Sequence, residues 1–334
     1  MPVYNEEPYI EACLRSLLEQ DYQADRMEIL VAEGGSRDQT RAIVDRIAGE
    51  DERVRLLDNS ARRIKTVGLN LAIKESKGEY ILVADAHAEY AADYVSKIIE
   101  VFQRTGAAAV GGAQRATAKT WFQRALCAAL ESPLGSGGAA YRSAGREGWV
   151  DTVYPGAFRR STLERVGLYD TRALTNEDAE MFQRILQTGG GVYLSREVVV
   201  HYFPRKSFHL LAKQYYRYGN GRARTLLYHK RFPVIRPLIP LLSVVSGVAL
   251  LVVSPLKPLA PYAFGGYAAV TALEAIRSGH KLGLGAIPVV WAIFLTMQVS
   301  HGVGMLQGLI RYTLRPKPPL IERLERRDEN GMAA

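Results

Sequence analysis

The chain has 334 residues, 48% of them hydrophobic, and a formal charge of +9 from 43 Lys and Arg against 34 Asp and Glu. That length buries a core unaided, and two cysteines without Cys/His zinc spacing exclude both a disulfide framework and a structural zinc site. Cys13 and Cys127 fall in helical apolar patterns and are expected as buried free thiols facing a reducing compartment.

Hydropathy is unevenly spread. Residues 1–232 carry mixed charge, whereas residues 233–310 are apolar with few charges. Much of the positive surplus lies in Arg222–Arg236 and Arg311–Arg327. Next to apolar stretches, and with no nucleic-acid-binding motif, it reads as a basic collar on an anionic cytoplasmic leaflet, not as a nucleic-acid surface.

No signal peptide is expected. Pro2-Val3-Tyr4-Asn5 reads as the end of a first strand whose apolar body is missing, so either a mis-assigned start or a truncated chain is expected. Strand and helix signals then alternate. Ile10, Leu14, Leu17 and Leu18 have helical spacing. Glu28–Ala32 is a short buried strand, followed by the Gly34-Gly35-Ser36 turn with Ser36 (or Asp38) capping a helix through Ile43, Val44 and Ile47. Val54–Leu57 and Tyr80–Ala84 are further strands, with a helix through Leu69, Ala72 and Ile73 between them. Asp93–Arg104 is helical, and Ala107–Val110 resumes the sheet. Short apolar strands alternating with helices predict a doubly wound, mostly parallel α/β sheet with ligands beyond the carboxyl ends of its strands.

After Thr120 the pattern loosens. Trp121–Leu130 is helical, Ser132–Gly148 is a Gly- and Ser-rich loop, Glu177–Leu186 is helical, and Val192–His201 is a strand or hairpin. Phe208–Leu227 is a long helix interrupted by Gly219 and Gly221. Val234–Val253 is long enough to span a bilayer, Leu259–Ile276 is weaker because of Glu274, and Leu284–Ile310 is long and contains His301. Three crossings would put Arg315, Lys317, Arg323, Arg326 and Arg327 opposite the catalytic half, against the positive-inside tendency. One stretch is therefore expected to lie in the interface or re-enter, or Leu284–Ile310 to cross twice. The expected division is a catalytic domain at 1–232, membrane helices at 233–312 and a basic cytoplasmic tail at 313–334, in a multi-pass protein of the inner membrane.

The chemistry concentrates in a few places. Asp85-Ala86-His87 puts two potential ligands two apart at a strand end. Carboxylate suits Mg²⁺ or Mn²⁺ and imidazole tilts the preference to Mn²⁺, although a capping Asp before a surface His has the same sequence. Glu33 stands at a strand end, either for a uracil or ribose or as a solvated loop carboxylate. Arg62, Arg63 and Lys65 lie between strand and helix, where cations meet a diphosphate or simply form a solvated face. Glu177-Asp178 is either an acid pair with Asp178 as general base or a pair of helix-dipole partners. Gln214, Arg217 and Tyr218 share a helix face.

Taken in order, Pro2-Val3-Tyr4-Asn5-Glu6-Glu7, Glu33-Gly34-Gly35-Ser36-Arg37-Asp38, Asp85-Ala86-His87-Ala88, Asn176-Glu177-Asp178 and Gln214-x-x-Arg217-Tyr218 resemble the family 2 (GT-A fold) glycosyltransferases, in particular those of exopolysaccharide assembly. The resemblance implies inverting transfer from a nucleoside-diphosphate sugar, usually UDP-linked. It implies donor contacts from Pro2, Tyr4, Glu6, Glu33, Arg63, Lys65 and Asp85, a divalent metal (Mn²⁺ or Mg²⁺) at Asp85 and His87, and catalysis by Asp178 with Glu177. It gives Gln214, Arg217 and Tyr218 to the acceptor or diphosphate. His87 stands where the family usually has a second Asp, Glu33 where it has Asp, and Tyr218 where it has Trp, so processive synthesis does not follow.

The expected activity is transfer of a hexose, glucose in the first instance, from UDP-glucose to a lipid-linked saccharide in succinoglycan-like exopolysaccharide assembly. Residues 121–148 and 208–224 would shape the acceptor side and face the bilayer, alongside other polysaccharide-assembly proteins. The alternatives are a polyprenyl-phosphate glycosyltransferase and a non-catalytic membrane scaffold.

Overall fold

A computed structural model describes residues 1–142, 145–230 and 236–314. In chain order the elements begin with β1 (Pro2–Val3), α1 (Ile10–Leu18), β2 (Ile29–Glu33), α2 (Thr40–Glu50), β3 (Val54–Asp58) and α3 (Lys65–Glu75). Next come β4 (Tyr80–Leu82), β5 (Ala88–Tyr90), α4 (Tyr94–Thr105), β6 (Ala109–Ala116), α5 (Trp121–Leu130) and α6 (Pro133–Ser136). Then follow β7 (Gly148–Trp149), β8 (Tyr154–Arg159), α7 (Arg160–Val166), α8 (Glu177–Gln187) and β9 (Val192–Tyr202). The chain continues through α9 (Phe208–His229), α10 (Leu238–Val252), α11 (Ala260–Gly279) and α12 (Ala286–Leu314).

Packing groups these elements differently from a division at residue 232. One unit is Met1–Arg115 with the stretch ending at Tyr202; the other is Ala116–Arg142 with the stretch beginning at Phe203. The apolar faces of α5 and α9 explain the grouping: Leu126, Leu130 and Leu211 bury against Val290, Ile293, Phe294 and Met297 of α12.

The first unit is α/β, as expected, but its strands form two sheets, one of three parallel strands and one of six with antiparallel pairing. β1, β2 and β3 are parallel, with Pro2 opposite Ala32, Val3 opposite Glu33 and Ile29 opposite Val54. The remaining order is β4-β8-β6-β9-β5, with β7 on β9; the β4–β8, β6–β8, β5–β9 and β7–β9 pairs are antiparallel. Tyr154–Arg159 is a central strand, between β4 and β6. Val192–Tyr202 is one strand, not a hairpin.

The core lies where the helices meet the sheet: Ile10 and Leu14, Val31, Val44 and Ile47, Ile98 and Phe102, Val198 and Val200 are all fully or nearly fully buried. A cavity of about 360 Å³ lies between β2 and β4, lined by Leu30, Leu69, Ile81 and Val95 among others. At its edge the Met1 amino group donates to the Leu30 carbonyl at 2.7 Å. Ser36 does not cap α2. Gln39 holds the N-cap position without a side-chain bond, and Asp38 supplies the cap, accepting from the Thr40 amide at 3.1 Å and the Thr40 hydroxyl at 2.6 Å.

In the second unit Thr120 and Gln123 form a capping box at the start of α5. α9 runs unbroken through Gly219 and Gly221, contrary to the expected interruption. The glycines serve contact with α12: a Cβ on Gly219 would lie 2.0 Å from the His301 carbonyl oxygen, and one on Gly304 would lie 2.1 Å from the Tyr216 carbonyl oxygen. Gly304→Val should therefore force the helices apart and cost about 1–3 kcal/mol. Gly265→Val, at a position with open space around its Cβ, should change stability by less than about 0.5 kcal/mol, as surface changes do. Thermal melts of the detergent-solubilised chain check both, and equal melting temperatures would contradict the contact.

The expected spans are revised. α12 is a single helix of 29 residues, long and apolar enough to cross a membrane, so Leu284–Ile310 does not cross twice. α10 has 15 residues, short of the roughly 20 that a crossing helix needs. α10 meets the following helical stretch, Ser254–Leu282, at a 112° bend; counted together the pair would be at most a second, broken span. Three separate crossings therefore do not appear among the described residues. Val234 and the basic residues of the expected tail from Arg315 onward lie outside them.

Candidate active site

The site of the first unit forms where β1, β2 and β4 end and where α3 and α8 begin. The β1 end is zipped to the loop after β2. Asn5, at φ 54°, accepts from the Arg37 amide at 2.9 Å, and the Glu6 amide donates to the Thr40 hydroxyl at 2.8 Å. Asn tolerates this left-handed backbone better than most side chains. Pro2 lies in the sheet beside Gly68 of α3, where a Cβ would sit 3.2 Å from that of Pro2. Tyr4 is exposed.

Glu33 departs from expectation. Its side chain is wholly buried, and its oxygens accept from the Gly35 amide at 2.9 Å and the Ser36 amide at 2.6 Å, with Arg41 at 3.5 Å. The carboxylate thus shapes its own loop, and direct contact with a base would require those bonds to open. Arg63, at φ 50°, is exposed, and its guanidinium lies beside Gly35.

Asp85, Lys65 and Glu177 converge. The Lys65 ammonium stands 3.2 Å from Asp85 Oδ1 and 2.8 Å from Glu177 Oε1. The Tyr154 hydroxyl donates to Asp85 Oδ2 at 2.7 Å. Burial opposes the Asp85 charge, but Lys65, His87 and the Tyr154 hydrogen bond outweigh it and hold the carboxyl well below the usual range. Burial likewise opposes the Lys65 charge, and attraction to Asp85, Glu177 and Asp178 overcomes it and raises its pKa. Asp178 moves the other way. Burial first, then repulsion from Glu177, lifts its pKa toward neutrality against the pull of Lys65. Asn176, at φ 58°, turns the chain into α8 so that both carboxylates enter at its first turn.

His87 lies beside this cluster, with Nδ1 3.6 Å from Glu6 Oε1 and its ring edge-on to Tyr202. Among the described residues no three His, Cys, Asp or Glu side chains gather as a metal cage. Both Asp85 oxygens have partners, Lys65 at Oδ1 and the Tyr154 hydroxyl at Oδ2, so an ion held there would share an oxygen with the ammonium or displace it.

Gln214, Arg217 and Tyr218 belong to the second unit. Gln214 Nε2 donates to the Tyr218 hydroxyl at 2.9 Å, so the expected shared face is present, and Arg217 is exposed. Sequence reasoning missed Tyr154, 69 residues from its partner Asp85. It also missed Tyr169, whose backbone Asn70 holds through two bonds of 2.8 and 2.9 Å and whose buried hydroxyl has no partner among the described residues. No local pattern marks either. Tyr154→Phe should remove a hydrogen bond to a charged group and cost about 1.5–3 kcal/mol. A melting temperature equal to that of the parent would show that Asp85 does not depend on it.

The architecture is that of a GT-A transferase. It aligns with the mannosyltransferase PcManGT from Pyrobaculum calidifontis, solved with GDP-Man and Mn²⁺, at a TM-score of 0.60 and 22% identity, over 92% of this chain and 85% of that one. Residues 1–167 match the model of Glycosyl transferase family 2. The succinoglycan biosynthesis protein ExoA of Rhizobium meliloti is 34% identical over 72% of this chain and 73% of its own. A Methanococcus voltae protein, dolichyl N-acetyl-alpha-D-glucosaminyl phosphate 3-beta-D-2,3-diacetamido-2,3-dideoxy-beta-D-glucuronosyltransferase, is 28% identical over 72% of this chain and 76% of its own. The chain belongs to glycosyl transferase family 2 and is a glycosyltransferase.

Proposed function

We propose that the chain transfers a hexose, glucose in the first instance, with inversion from a UDP-sugar to a lipid-linked saccharide during exopolysaccharide assembly. The carrying observation is the Lys65 bridge, which joins the Asp85 motif to the Glu177-Asp178 motif through one ammonium. Two names support the finer reading: ExoA is a succinoglycan biosynthesis protein, and the archaeal relative is named for a dolichyl phosphate-linked sugar.

In this reading Asp178 takes the proton of the acceptor hydroxyl as that oxygen attacks the anomeric carbon and the bond to UDP breaks. Its raised proton affinity suits that task. Lys65 presents positive charge where the departing diphosphate gathers negative charge. Tyr154 keeps Asp85 oriented. A divalent ion, Mn²⁺ or Mg²⁺, held by Asp85 and His87 would supply further charge neutralisation at the diphosphate. The loops at Pro2–Glu6 and Glu33–Asp38, with Arg63, form the nucleotide side. Gln214, Arg217 and Tyr218 are assigned to the acceptor. α12 is the membrane attachment, with the catalytic unit on the cytoplasmic face of the inner membrane.

The test is UDP release by membranes containing the protein, across a panel of UDP-sugars, with and without Mn²⁺ or Mg²⁺ and with crude lipid-linked acceptor. Release from UDP-glucose that Asp178→Asn abolishes is the expected result. Release from a different donor would replace the sugar, and no release from any donor would overturn the reading.

A further inference from the structure

The second unit is almost free of negative charge. Across residues 116–142 and 203–314 the acidic side chains are Glu131 and Glu274 alone, and Glu274 is held by Arg277 at 2.6 Å. Arg142 nevertheless lies partly buried there, with no carboxylate partner among the described residues. Its Nη1 donates to the Tyr215 hydroxyl at 3.3 Å and reaches the Gly135 carbonyl only at 3.4 Å. Its Nε is wholly buried and has no hydrogen-bond partner among the described residues. The Tyr141 ring lies 5.6 Å from the guanidinium.

A second guanidinium meets the same turn: Arg236 donates to the carbonyl of Gly138. Gly137 and Gly138 both adopt left-handed backbone, at φ 57° and 71°, which brings the turn back between the two arginines. Withdrawing a guanidinium from water without a counter-ion costs several kcal/mol. Arginine's planar fork matches phosphate oxygens, and a tyrosine hydroxyl can donate to the same anion. The unit also exposes large apolar side chains, with Val252 70%, Tyr262 80% and Leu273 67% accessible, as an element lying against lipid would.

We infer that Arg142, with Tyr215 and Arg236, forms a phosphate site that takes the phosphate or diphosphate head of an isoprenoid-type lipid carrying the acceptor. This rests on the lipid-linked acceptor of the proposed function. It adds a recognition element that none of the sequence motifs contains, placing it on the turn between α6 and the loop that follows.

The experiment uses the full chain in detergent micelles and two probes, farnesyl diphosphate and inorganic diphosphate, with binding measured by calorimetry. The parent should bind farnesyl diphosphate, and Arg142→Met should bind it at least tenfold more weakly. Because Met removes an unpaired buried charge, this variant should melt at or above the parent temperature, which an arginine holding the fold together would not allow. Tyr215→Phe should weaken binding severalfold without unfolding. Arg142→Met should weaken each probe that the parent binds; tighter binding of farnesyl diphosphate than of inorganic diphosphate by the parent identifies the lipid source, and equal parent affinity identifies a free-phosphate site and overturns the lipid assignment. No binding by the parent, unchanged affinity in Arg142→Met, or a large fall in its melting temperature with binding retained would overturn the inference. Failure of the donor reading would appear separately, as an absence of UDP release by the parent, and leaves this comparison readable.

Discussion

Asp178→Asn should abolish sugar transfer, lowering the turnover rate by about 10²–10⁴-fold, the usual contribution of a general base, while UDP-sugar affinity stays within about threefold of the parent. The amide keeps the size of the side chain but cannot take a proton. Radiolabelled transfer and donor binding measured side by side decide the matter, and parallel loss of both would move Asp178 from proton transfer to donor binding. The pH profile of the parent carries a second signature. The carboxylate must be ionised to act, and burial with Glu177 beside it raises its pKa. The acid limb of the rate should therefore lie nearer neutrality than the ordinary carboxylate value of about 4. The stability sign follows from the same shift. Between the ordinary and the raised value the folded chain keeps a proton that the unfolded chain has released, so this group's stabilisation is present at low pH and lost as pH rises through that window. Asp178→Asn, which never ionises, should consequently melt above the parent at neutral pH, a trade of stability for activity.

Lys65→Met should be the most damaging change outside the acid pair. Three carboxylates, Asp85, Glu177 and Asp178, lean on this ammonium. Removing it leaves Asp85 and Glu177, 13% and 8% exposed, without the ammonium that both contact, and leaves Asp85 with the Tyr154 hydrogen bond. Breaking a fully buried pair costs about 3–5 kcal/mol; with Lys65 itself 37% exposed, about 2–3 kcal/mol is expected. The loss should shrink as pH falls and the carboxylates take up protons, because the unpaired charges then disappear. Thermal melts at neutral and acid pH measure this. A deficit that is the same at both would mean that Lys65 acts through packing rather than charge. Donor affinity should fall with it, since the ammonium is assigned to the diphosphate, and Lys65→Arg should recover part of both.

Much of the local setting of the candidate residues was legible in the linear order. Asp85 and His87 at a strand end, Glu177-Asp178 at a helix start and Gln214 one turn from Tyr218 are short-range patterns. Strand alternation, helix period and turn residues act over a few positions, so the residues that need such a setting declare it locally. The boundaries of α5 and α8 were readable for the same reason, as were the alternating α/β fold and the apolar character of α12.

The tertiary structure alone decided how those pieces meet. Whether β8 would run antiparallel between β4 and β6 depended on a loop closing over distant positions, and no local pattern reports that. Glu33 reads as a solvated loop carboxylate until the chain closes over it; it is buried and accepts from the Gly35 and Ser36 amides. Gly219 reads as a helix breaker until α12 lies against it, when the missing Cβ becomes the reason the two helices pack. Lys65 reads as one cation in a basic run until residues 65, 85 and 177 come together. Arg142 reads as part of a polar loop until its side chain is seen among tyrosines, with no acid beside it among the described residues. In each case the residue type sets what an atom can do, while desolvation and the identity of its neighbours, fixed only when the chain closes on itself, determine which of those things it does.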